Sequence, residues 1–182
     1  MSGFFRYAPM RVRGALRPLA SLIAALDVAA CAALVGLVSV MVGVVAAQVV
    51  LRYVFNSSLA WADELSRLCF VWSIFLAIPL GLKSGAHIGI QVLASRLPAA
   101  IGAALSRATA LTGACLMLLV AWESAVIAWD QWDELLASMP ASGAWFIVPL
   151  ALAGLHSALH LFWQSLTGAT HRVADLPQES HG

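Results

Sequence analysis

Four long apolar segments, separated by short polar stretches, dominate the chain. They run from about Leu22 to Val50, Ala62 to Leu82, Ile101 to Trp129 and Gly143 to Leu166. Each approaches or exceeds the ~20 residues that a helix needs to cross a bilayer. Lipid forces every backbone group to find its partner inside its own segment, which favours helices. The alternation of a strand is absent, and a membrane barrel would need many more, shorter segments. The pattern predicts an all-α integral membrane protein with four transmembrane helices. It divides the chain into a basic N-terminal segment, 1–21, a transmembrane domain, 22–168, and a polar tail, 169–182. No repeat, linker or second domain is visible.

Composition agrees. Of the 182 residues, 62% are hydrophobic and 10% charged, and the mean hydropathy is +0.89. A soluble domain of this size has too little interior to hide so much apolar surface. The net charge of +1, with no basic run, gives no reason to expect nucleic acid. Arg6, Arg11, Arg13 and Arg17 precede an apolar run in the manner of a signal peptide. The uncharged run Val28 to Leu51, however, outruns the ~7–15 residues of a cleavable signal core, so it reads as a retained first helix. Cys31, Cys69 and Cys115 lie in apolar runs and share no metal-ligand spacing.

Loop charges orient the helices. The N-terminal segment carries four arginines and no acid, and the second loop carries Lys83, Arg96 and Arg107. The third loop carries Asp130, Asp133 and Glu134 and no base. The positive-inside rule places both termini and the 83–107 loop in the cytoplasm, with 51–62 and 130–142 outside. Trp61, Trp122, Trp129 and Trp132 then fall near the outer headgroups and Trp163 near the inner ones.

The second helix opens on Asp63, Glu64 and Arg67, which are close enough in register to pair. Arg52 lies across a short loop, and the four charges sum to zero. One reading is a self-neutralised cluster at headgroup depth. Length favours another. Leu68 to Leu82 rises only about 22 Å at ~1.5 Å per residue, so spanning draws Arg67 toward the hydrocarbon. Glu123 lies well inside Trp129 on the third helix. Buried membrane charges cost at least ~2.5 kcal/mol and face protein, so Glu123, Arg67 and Arg52 are expected to meet near the outer leaflet.

The sequence contains no P-loop, no glycine-rich nucleotide fingerprint and no Ser/His/Asp arrangement. No enzyme, cofactor or metal is expected. Paired Gly/Pro interruptions of the kind found in transporter halves are also missing, which argues against a lone transporter. His156 and His160 lie four apart on the fourth helix. They suit a haem or metal ligand pair, but no second helix offers a histidine at that depth, so a neutral hydrogen-bonded helix contact is preferred.

The run LRYVFNSSLAWADELSRLCFVWSIFLAIPLGLKSGAHIGI, Leu51 to Ile90, resembles the small membrane subunit of tripartite ATP-independent periplasmic (TRAP) transporters, the DctQ type. The resemblance rests on Arg52, Tyr53, Trp61, Glu64, Arg67, Trp72, Lys83, Gly85, His87 and Ile88. Ser138 to Leu155, with Pro140 and Trp145, is similar to the family's fourth helix. Ala77, Gln91 and Asp63 depart from the glycine, the acid and the glutamate common at those places. The resemblance implies a bacterial inner-membrane subunit that braces a large multi-spanning permease subunit. It also implies uptake of an organic anion driven by an ion gradient, with sodium as the expected ion, and delivery by a periplasmic substrate-binding protein. The expected partners are those two proteins and membrane lipids. On this reading Arg52, Trp61, Asp63, Glu64, Arg67 and Glu123 form a partner-contact or structural ion cluster, and Lys83, Gly85 and His87 mark the cytoplasmic end of helix two. Asp130, Asp133 and Glu134 either touch the binding protein or form a plain solvated loop. The rival reading is a four-helix anchor or electron-transfer subunit carrying haem b or meeting quinone.

Overall fold

The computed structural model describes residues 17–57, 59–83 and 97–167. Among them most residues fall in four α-helices: α1, Arg17–Val54; α2, Ala60–Lys83; α3, Ala99–Asp130; and α4, Val148–Thr167. A 3-10 turn, Gly143–Phe146, leads into α4. The four helical segments, the last including this turn, are long and apolar enough to cross a membrane. The β-type pairing among the described residues is one isolated bridge, Leu135 to Ser142. The fold is the all-helical, four-span one that the apolar pattern predicts.

Helix ends reach past the apolar segments. α1 begins at Arg17 and continues through Arg52 to Val54. Hydropathy marks where a side chain stops preferring lipid, whereas backbone bonding persists through residues whose side chains reach water. At ~1.5 Å per residue the 38-residue α1 is about 57 Å long and the 32-residue α3 about 48 Å. Both exceed a ~30 Å hydrocarbon core, so they tilt or emerge from it. The last span starts with a 3-10 turn because Ser142 caps it, its hydroxyl accepting the Ala144 N–H at 3.1 Å. Pro149 falls in the first turn of α4, where its missing N–H costs nothing.

The helices pack in an open row. α1 lies on α2, α2 on α4, and α4 on α3; α3 touches neither α1 nor α2, and α1 reaches α4 only sparsely. Small residues set the α3–α4 seam. Ala110, Ala114 and Ala128 are the buried alanines of α3, and its one helical neighbour of length is α4. A Cβ at Gly154 would sit 3.0 Å from the Met117 carbonyl oxygen and 3.1 Å from the Ala121 Cβ. The two backbones therefore approach as closely as glycine permits, which is how membrane helices gain dispersion contact. α1 is the opposite case. It buries Ile23, Asp27 and Ala30, and beyond them Val35, Val42, Val45 and Val49 are exposed.

Candidate functional site

Three groups of polar side chains organise the molecule. The first is the end where α1 stops and α2 starts. Asn56 takes a positive φ of 48° in this connection, a conformation that asparagine tolerates better than most residues. Asp63 accepts a hydrogen bond from the Gln48 amide at 3.1 Å. Glu64 accepts the Ser138 backbone N–H at 3.0 Å, tying α2 to the loop after α3. Arg52, Arg67 and Trp61 are exposed.

Glu123 does not join this group within the chain. It is exposed on α3, a helix with no contact to α1 or α2. The sequence reading matched Glu123 with Arg67 and Arg52 by depth alone. Lateral order decides otherwise, because α4 stands between α2 and α3. Among the described residues no ion pair joins Arg52, Arg67 or Glu123 to a charged partner. Lys83 ends α2, while Gly85 and His87 lie outside the described residues.

The second group pins the 131–142 loop. Gly143 N–H donates to the Glu134 carbonyl at 2.7 Å and Leu136 N–H to that of Ala141 at 2.9 Å. The Ser142 hydroxyl donates to the Gln131 carbonyl at 3.2 Å. Trp72 of α2 donates its indole N–H to the Trp145 carbonyl at 2.9 Å. Its ring lies 6.0 Å from that of Trp145, which in turn lies 6.4 Å from Trp132. Offset aromatic contacts at this spacing are attractive. Asp130, the last residue of α3, and Asp133 and Glu134 in this pinned loop are exposed.

The third group is buried in the opposite half of the span. Asp27 of α1 is 2% exposed. Its Oδ1 lies 3.1 Å from His156 Nε2 and 2.8 Å from His160 Nε2 on α4. The two imidazole rings are 4.9 Å apart. In the sequence Asp27 is an acid near the start of the first apolar segment. The signal for its pairing was present. An acid in a hydrocarbon segment must face protein, and depth counted from the helix ends matches. Asp27 is ten residues, about 15 Å, into α1, and His160 is seven residues, about 10 Å, from the end of α4.

These features describe a small multi-pass membrane subunit held together by helix contacts and pinned loops. The family model for the DctQ component of tripartite ATP-independent periplasmic transporters matches residues 41–171. A TRAP transporter small permease protein of Haemophilus influenzae is 37% identical over 68 residues, covering 37% of this chain and 40% of that protein. The C4-dicarboxylate TRAP transporter small permease protein DctQ of Vibrio cholerae is 27% identical over 154 residues, covering 70% of this chain and 66% of that protein. The sialic acid TRAP transporter permease protein SiaT of Haemophilus influenzae is 36% identical over 56 residues, 31% of this chain and 9% of that protein. Against two of the Haemophilus small permeases the match spans only 40% and 36% of their lengths.

The chain belongs to the DctQ component family of TRAP transporters. It is a small permease subunit and a multi-pass inner-membrane protein, and its family is one of transporter subunits, not enzymes. This membership, over most of the chain, sets aside the electron-transfer anchor.

Proposed function

We propose that the chain braces a large multi-spanning permease subunit in a secondary uptake system for organic anions, driven by an ion gradient with sodium as the coupling ion. The observation that carries this reading is the family match across residues 41–171. Two of the relatives are named for C4-dicarboxylate and sialic acid transport, and both substrates are organic anions. The open row of helices supports a bracing role. Four helices side by side enclose no central path, while leaving apolar flanks for lipid or for another membrane protein to cover.

In this proposal both termini face the cytoplasm, which the loop charges support. Arg52, Trp61, Asp63, Glu64, Arg67 and Glu123 lie toward the outer side as a partner-facing set. Lys83, Gly85 and His87 mark the inner end of α2. The pinned loop with Asp130, Asp133 and Glu134 helps dock the periplasmic binding protein. Its hydrogen bonds give that surface a fixed shape, which lowers the ordering cost of binding.

Co-purification is the test. The chain, expressed beside the genes that adjoin its own, should carry a much larger multi-spanning protein through purification. Reconstituted alone it should give no sodium-dependent organic-anion uptake. Robust uptake by the isolated chain overturns the proposal.

A further inference from the structure

We infer that Asp27, His156 and His160 form a binding site for a divalent first-row transition-metal ion of the zinc class, which fastens α1 to α4. Among the described residues this is the one group of three metal-ligating side chains that converges, each donor atom within 4.8 Å of the others.

Two of the three donor edges are close to those around a bound ion. Zinc holds nitrogen and oxygen ligands at ~2.0–2.1 Å, which sets tetrahedral ligand atoms about 3.3 Å apart. Asp27 Oδ1 already lies 3.1 and 2.8 Å from the two Nε2 atoms. Opening those edges by about 0.2 and 0.5 Å, and bringing the two nitrogens, which lie within 4.8 Å of each other, to the same spacing, gives the tetrahedral arrangement through side-chain rotation. Histidines four apart on one helix face are also a spacing that grips zinc, because both rings then point the same way. Here both do, toward the carboxylate of the neighbouring helix.

The donor chemistry selects the ion. Two imidazoles and one carboxylate suit zinc and its first-row neighbours, whereas magnesium and calcium take oxygen ligands. Neutral imidazoles need lose no proton overall. Each shifts its hydrogen from Nε2 to Nδ1 and frees the inner nitrogen. Asp27 cancels one of the ion's two charges. Three protein ligands leave the fourth position open. Burial of the carboxylate strengthens the attraction beyond what an exposed site would give.

The location gives the ion a structural role. α1 meets α4 sparsely, and this cluster joins them. An ion there would stabilise the folded chain by mass action.

The experiment uses the full-length chain in lipid nanodiscs, purified on a tag without histidines, stripped with chelator and titrated with Zn2+ and with Co2+. The wild-type chain should retain one zinc per molecule by elemental analysis, show the visible band of tetrahedral cobalt, and melt at a higher temperature with zinc. His160→Gln should weaken zinc binding by roughly tenfold or more, and the double change His156→Gln/His160→Gln should remove the cobalt band. Replacing His87, His171 and His181 together by Gln should leave both signals intact. The inference is overturned if the wild type binds no zinc, if the double variant binds as the wild type does, or if the triple variant loses the metal. Should the double variant fail to fold, the wild-type cobalt spectrum still decides, because an octahedral, oxygen-type spectrum overturns the inference.

Discussion

Gly154→Val tests the account of the α3–α4 seam most directly. A Cβ at this position meets the Met117 carbonyl oxygen at 3.0 Å, the Ala121 Cβ at 3.1 Å and the Ala121 amide nitrogen at 3.2 Å. Carbon–carbon contact is comfortable at about 3.5–4.0 Å, so α4 must retreat by several tenths of an ångström along the seam. Two of the three obstacles are backbone atoms of α3 and cannot rotate away. Overpacking of this kind costs about 1–3 kcal/mol, and a β-branched side chain falls at the upper end. Valine recovers only about 0.3 kcal/mol of helix propensity over glycine, so the clash wins. The net loss is about 2–3 kcal/mol, or a melting point lower by about 5–10 °C at ~2–4 °C per kcal/mol. Gly43→Val is the matched control, since a Cβ there meets nothing within 4 Å. Thermal unfolding of the isolated chain in one detergent, followed by its seven tryptophans, compares the two. Equal melting points for the two variants would refute the close approach of α3 and α4.

Other perturbations read other contacts. Trp72→Phe keeps most of the ring but deletes the 2.9 Å bond to the Trp145 carbonyl; about 1 kcal/mol is lost, and limited proteolysis should cut the 131–142 loop faster. Glu64→Ala removes the acceptor of the Ser138 N–H, so hydrogen exchange at that amide should accelerate while exchange across α3 stays unchanged. Arg67→Ala should weaken co-purification with the large subunit without altering which anion is taken up, and an altered substrate profile with intact assembly would contradict the partner-facing assignment.

The sequence made some of this legible and hid the rest for identifiable reasons. The four spans stand out because lipid demands long uninterrupted apolar runs, and that demand leaves a strong signal. Their ends do not, since Arg17 and Arg52 continue α1 at no cost once their side chains reach water. Lateral order was harder. Short connections make α1 a neighbour of α2, and α3 of α4, but nothing in the pattern says that α4 rather than α3 lies against α2. Apolar residues are spread around the first three helices, so the pattern does not mark which side faces which neighbour. Depth alone therefore sets Glu123 level with Arg67 and Arg52, while the lateral order keeps them apart within the chain. Asp27 could have been paired correctly, because its depth matches that of His160, and a buried acid at that depth has few other partners to choose from.

The open row also bears on how the chain is assembled. Its first two and last two helices are each a hairpin, complete in its own contacts, and the hairpins meet along α2 and α4. The Asp27 cluster, the Glu64–Ser138 bond and the Trp72–Trp145 bond each join the first hairpin to the second. Each hairpin can therefore enter the bilayer as a separate unit, and the native subunit is completed by a single docking event. Synthesised as two polypeptides divided between residues 83 and 97, the halves retain every one of these crossing contacts and should find each other in the membrane.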